Sequence, residues 1–110
     1  MLASTAHVAT ERPALYLTQL CEHFADPTQR HSPQEFEVTF DEREGVIAFA
    51  PAVSGTCRLD ARGEGVLVVE AAGIDQPALH RVQRIVTKHL QRFGGHDGPR
   101  VEWGPASDLP

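Results

Sequence analysis

Six histidines and two cysteines are the side chains of this chain best suited to hold a metal or pass a proton. Cys21 and His23 stand in the pattern Cys-x-His inside an apolar-periodic segment. On a helix, side chains at that spacing diverge by about 200°, so the two cannot chelate one ion while the helix holds. Cys21 falls on one edge of the apolar stripe and His23 on the other; their ordinary roles are a small packed thiol and an imidazole edging the core. His89 lies within the stripe of a second such segment, among Val82, Ile85, Val86 and Phe93. An imidazole placed there needs a hydrogen-bond partner. If the two segments pack side by side, His23 meets His89, with Cys57 on the surface below. The set His23, His89 and Cys57 then offers donors suited to a transition metal, zinc or iron. No spacing in the sequence demands that assembly, and a satisfied core histidine is the commoner fate. His7, His31, His80 and His96 read as exposed or loop-borne.

A second feature is electrostatic. Arg81, Arg84, Lys88 and Arg92 fall on the outer side of the second helical segment, and no acid lies between Gln76 and Phe93. A solvated helix face is the plain explanation; an anionic small molecule or an acidic protein surface is the functional one. Without interleaved aromatics the stripe is a poor nucleic-acid signature, and the formal net charge of −5 repels phosphate backbones. There is no glycine-rich phosphate loop, no GxSxG and no HExxH. The carboxylates sit in turns and on a solvent face, where none is an evident general acid or base, so enzymatic activity is left open with no catalytic residue named.

The elements that must position these residues follow from periodicity. Ala6–Ala9 reads as a short first strand, followed by Thr10 as a helix cap. Tyr16, Leu17, Leu20 and Phe24 form a helical stripe that Asp26-Pro27 ends. From Phe36 the period becomes two. Phe36, Val38 and Phe40 face one way, and a turn at 41–45 uses Gly45 for a left-handed residue. Val46–Ala50, then Thr56–Arg62 with Cys57, Leu59 and Ala61 inward, then Val66–Ala71 complete a meander. Asp75 caps a second helix with Pro77 in its first turn, Leu79, Val82, Val86, Leu90 and Phe93 as its stripe, and Gly94-Gly95 as its stop. Arg100–Gly104 reads as a last strand with Val101 and Trp103 inward.

The expected fold is α+β: a two-layer sandwich in the order β-α-β-β-β-β-α-β, a mostly antiparallel sheet with both helices on one face. Its outer charges, Glu35, Glu37, Arg58, Asp60, Arg62 and Glu70, are placed to pair across strands. A chain of 110 residues, 41% hydrophobic and 23% charged, suits one domain, expected over residues 5–104 with a flexible tail at 105–110. No stretch is apolar enough for a membrane span, Met1-Leu2-Ala3-Ser4-Thr5 does not begin a secretory signal, and two cysteines without a CxxC suit reduced thiols, so the expected location is cytoplasmic.

Four ordered motifs carry a family resemblance. They are Tyr16-Leu17-x-Gln19-Leu20-Cys21-x-His23-Phe24, Gly55-x-Cys57-x-Leu59-x-Ala61, His89-Leu90-x-Arg92-Phe93 and Val101-Glu102-Trp103. Together they resemble the bacterial domain of unknown function 2218 family, from about His7 to Trp103. Relatives accompany, or are joined to, siderophore-interacting flavin reductases and iron-uptake genes, so the resemblance implies a role near cytosolic iron handling. Relatives also place another His shortly after the His-Phe pair; here Ala25-Asp26-Pro27 follow, and His31 would be its stand-in.

Three functional expectations result. The first is a non-enzymatic ligand-binding or accessory domain of iron or siderophore metabolism. Its partner would be a siderophore-interacting reductase or an anionic small molecule, met through His23 and His89 or through Arg81, Arg84, Lys88 and Arg92. The second is a metal-dependent enzyme with a His/Cys site between helices and sheet. The third is a structural or dimerisation module joining protomers at a sheet edge, the chain being a monomer or a homodimer.

Overall fold

The computed structural model describes residues 1–25, 36–49, 55–92 and 101–108. Strand β1 (Leu2–Ala9) leads into helix α1 (Pro13–Ala25). The meander is β2 (Phe36–Phe40), β3 (Glu44–Phe49), β4 (Gly55–Asp60) and β5 (Val66–Gly73). Helix α2 (Gln76–Gln91) and a two-residue strand, β6 (Ser107–Asp108), follow. All pairings are antiparallel, in the order β2-β3-β4-β5-β1-β6. The α+β class and the element order are those expected from periodicity.

Alternation explains the layers. Ile47, Cys57, Leu59, Leu67, Val69 and Ala71 are buried on the inner face, while Arg58 on β4 is exposed. Helix α1 roofs β2 and β3 with Leu17, Leu20, Cys21 and Phe24. Helix α2 roofs β4 and β5 with Leu79, Val82, Val86 and Leu90, all at 0% exposure. Each of those four contributes roughly 1.5–3 kcal/mol by leaving water. Asp75 caps α2 as expected, its carboxylate accepting from Ala78 N–H at 2.9 Å. Gly55 and Gly73 are paired in register beneath α2. A Cβ on Gly55 would come 2.5 Å from Val82 Cγ2, and one on Gly73 would run into the backbone of Ala78 and Leu79. These two bare positions let the first turns of α2 lie directly on the sheet.

The structure corrects several local expectations. The first strand begins at Leu2 rather than Ala6 because all eight residues from Leu2 to Ala9 pair with β5. Helix α1 starts at Pro13, so Thr10 is not its cap residue; its hydroxyl instead accepts from Arg12 N–H at 3.0 Å. Gly45 lies inside β3, and the β2–β3 turn is held by Asp41, whose carboxylate accepts from Arg43 and Glu44 N–H. The left-handed residue is Gly65 in the next turn, at φ 72°. Gly45 serves a different need: a Cβ there would sit 2.8 Å from Cys21 Sγ, so its absence lets α1 press on β3.

Of the strand expected over Arg100–Gly104, Arg100 lies outside the described residues and Val101–Gly104 do not form a strand. Trp103 makes a single bridge to Ala6, and the strand proper is Ser107–Asp108, inside the segment expected to be a flexible tail. Buried Ser4 explains the docking: its hydroxyl donates to Gly104 C=O at 2.6 Å, and Gly104 N–H donates to Thr5 C=O at 2.9 Å. Phe40, expected inward, is 39% exposed because it lies at the end of β2. Phe93, Gly94-Gly95, Glu35, His31 and His96 lie outside the described residues. No helix among the described residues is long and apolar enough to cross a membrane.

Candidate functional site

Helices α1 and α2 bring His23 and His89 together, with ring centroids 4.6 Å apart and planes tilted by 50°. Both imidazoles are half-buried, each placed at the edge of its helix's apolar stripe and facing the other helix. Phe24 lies 4.8 Å from His89 and stacks edge-on against Phe49 at 5.9 Å, so the pair rests on an aromatic floor.

The tautomer of His89 follows from its partner. Nδ1 lies 2.7 Å from Ile85 C=O, one helical turn back. A carbonyl only accepts, so Nδ1 carries the proton and donates it, which leaves the Nε2 lone pair open. Burial lowers the His89 pKa below its ordinary value, and neighbouring His23, Arg92 and Lys88 disfavour its protonation further, against the opposing effect of the Ile85 bond. His89 is therefore a neutral ligand-type nitrogen beside two cations.

Cys57 does not complete a metal set. Among the described residues, no three of His, Cys, Asp and Glu form a group able to hold an ion. Cys57 is fully buried on β4, opposite Ile47 on one side and Ala71 on the other. Burial raises its thiol pKa, with Cys21 and Glu70 adding to the effect, and burial pushes Cys21 up to about 12. Both cysteines are free thiols and serve as core hydrophobes rather than thiolate ligands. The expected trio thus reduces to two imidazoles.

Arg81, Arg84 and Lys88 on α2, and Arg92 capping its C-terminus, are all exposed, as the periodicity places them. Arg84 and Lys88 also border an open groove of about 360 Å³ with Gln83, Thr87, Gln91 and Trp103. Trp103 is half-buried rather than a core residue, and its indole Nε1–H donates to Thr87 Oγ1 at 2.8 Å. Sequence reasoning took Trp103 for packing alone. The usable signal was a lone tryptophan whose N–H needs a partner when buried.

Among the described residues no helix covers the opposite face of the sheet, which is mixed in charge. Arg58 stands opposite Glu70 in register, yet the ion pair seen on this face joins Arg62 to Asp60 at 2.8 Å. That bidentate contact, with Arg62 N–H added, holds the Asp60 pKa down to about 2. A shallow hollow of about 220 Å³ lies there between Val46, Arg58, Val68 and Glu70.

An NMR structure of PA4090 from Pseudomonas aeruginosa is similar to this chain, with a TM-score of 0.75 and 30% sequence identity. The likeness covers 98% of this chain and 100% of that one. No curated protein matches. The sequence pattern of the DUF2218 family, described as uncharacterised protein conserved in bacteria, matches residues 5–104. A match over that span, nearly the whole chain, places the protein in the DUF2218 family of uncharacterised bacterial proteins.

Proposed function

We propose that this protein is a non-enzymatic binding domain for an anionic metal chelate, acting in bacterial iron handling. The observation that carries the reading is the contact between His23 and His89 at 4.6 Å, with His89 Nε2 unprotonated. Two imidazoles are too few to hold a bare ion tightly, since structural sites use four protein ligands and catalytic ones three. They suffice to complete the coordination of a metal that arrives already wrapped in a chelator. Imidazole is a common ligand for iron, and a ferric complex with carboxylate, catecholate or hydroxamate donors supplies the remaining positions. The catecholate and polycarboxylate complexes carry negative charge, and Lys88 and Arg92 stand beside the pair to meet it. Arg81 and Arg84 extend the positive field along the same helix, which carries no acid from Gln76 to Gln91. The family resemblance agrees with this, its relatives being neighbours of siderophore-interacting reductases; such a reductase is the proposed partner and the cytoplasm the proposed location.

Calorimetric titration of untagged protein with ferric citrate tests the reading. The expected result is one site, weakened about tenfold in His23→Ala/His89→Ala and weakened again as salt rises from about 50 to about 500 mM. Equal affinity in the double variant, or tight binding of ferric or zinc ion without a chelator, would overturn it.

A further inference from the structure

We infer that the Trp103 groove is a second binding site, for a small aromatic carboxylate, on the flank of α2 away from the histidine pair. Thr87 and His89 are two residues apart on α2, so they point about 200° from each other around the helix axis. The groove and the pair thus lie on different sides of α2, with Lys88 between them, and stacking on Trp103 does not require the chelate reading.

Three observations carry the assignment. The first is preorganisation. Trp103 is tied at both ends, through its backbone bridge to Ala6 in β1 and through its indole N–H to Thr87. An aromatic face held this way loses little freedom when a ligand stacks on it. The second is charge. Arg84 and Lys88, one helical turn apart, line the same groove, and among the described residues no acid does; Glu102 precedes the indole in the chain without lining the groove. The third is shape. The groove is an open trough of about 360 Å³ lined by Gln83, Arg84, Thr87, Lys88, Gln91 and Trp103. A flat ring fits along the indole. A carboxylate coplanar with that ring then points at the guanidinium fork of Arg84, whose planar donors match it two to two. The two glutamine amides remain for ring substituents. A macromolecular anion would ask for a longer track of aromatics than one indole supplies.

The chain has a single tryptophan, so its indole N–H gives one side-chain signal in a nitrogen–proton correlation spectrum. Benzoate, cyclohexanecarboxylate and adenosine monophosphate are titrated against that signal, in wild type and in R84Q/K88Q. Benzoate is expected to shift it saturably, and cyclohexanecarboxylate to bind about fivefold more weakly for want of a stacking ring. R84Q/K88Q is expected to bind benzoate about tenfold more weakly while its thermal midpoint stays that of wild type. Both substituted side chains are exposed, so the fold is not at stake. No shift with benzoate up to about 10 mM would overturn the site. So would equal affinity for the two carboxylates, an unchanged affinity in the variant, or a response to adenosine monophosphate alone. In the wild-type samples the ring protons of His23 and His89 stay unshifted by benzoate if the two sites are distinct.

Discussion

Gly73→Ala puts the seating of α2 to the test, because the position of His89 depends on it. Gly73 ends β5 beneath the first turn of α2. An alanine Cβ there would lie 2.8 Å from the Ala78 carbonyl carbon and 2.9 Å from Leu79 Cα, with Leu79 N closer still, whereas ordinary contact begins at 3.4 Å. Each of those atoms is helix backbone, so no rotamer change relieves the clash. The first turn must lift by roughly half an ångström or more, which opens the close-packed contacts of Leu79 and Val82. Overpacking costs 1–3 kcal/mol in cores that can adjust, and this site cannot, so about 3 kcal/mol is expected. For a domain this size that lowers the thermal midpoint by at least about 12 °C. Gly65→Ala is the reference: no atom lies within 4 Å, and only its φ of 72° is disfavoured. Its cost is about 1–2 kcal/mol. Thermal and urea denaturation of both variants decide the matter. A Gly73→Ala protein within about 0.5 kcal/mol of wild type would refute this account of how α2 sits.

Asp75→Ala removes the α2 cap and should cost about 1 kcal/mol in urea denaturation, with no loss if the carboxylate bond to Ala78 is immaterial. Stability should also fall in acid through His89. Its folded pKa lies below the ordinary 6.5, so between those values the unfolded chain binds more protons than the native one. Stability from this group is complete above pH 6.5 and lost as pH drops through that window, and His89→Asn, which keeps an N–H for Ile85, should flatten the decline. An unaltered pH profile in His89→Asn speaks against a half-buried neutral imidazole. Cys21 and Cys57, with thiol pKa values raised by burial, should react with a thiol reagent at pH 8 only as fast as the protein unfolds. Rapid labelling of the native protein would contradict their placement in the core.

The parts of this molecule legible in its residues are those governed by local periodicity. Cys57 and Leu59 alternate with Arg58 and Asp60, and the buried and outer faces follow. Leu79, Val82, Val86 and Leu90 name the inner side of α2, and Asp75 with Pro77 marks its start. The same rule put His23 at the edge of one stripe and His89 within the other, which made their meeting one option without demanding it. Distance along and between elements is another matter. Period two places Cys57 on the inner face but does not say how far below the imidazoles it lies, and it stayed out of their group. The C-terminal segment was misread for the same reason. The Ser4–Gly104 bond spans a hundred residues, and no local pattern announces that a buried hydroxyl will hold the chain against β1. Gly45 looked like a turn glycine because it follows a polar run; its need came from Cys21, far away in sequence.

Paramagnetic line broadening offers the most direct test of the histidine pair as a chelate site. Ferric citrate is added at sub-stoichiometric ratio, and the imidazole ring protons of all histidines are followed. The account predicts that His23 and His89 broaden first and together, that added salt reverses the effect, and that exposed His7 and His80 stay sharp. Uniform broadening of every histidine, or none at His89, would contradict it.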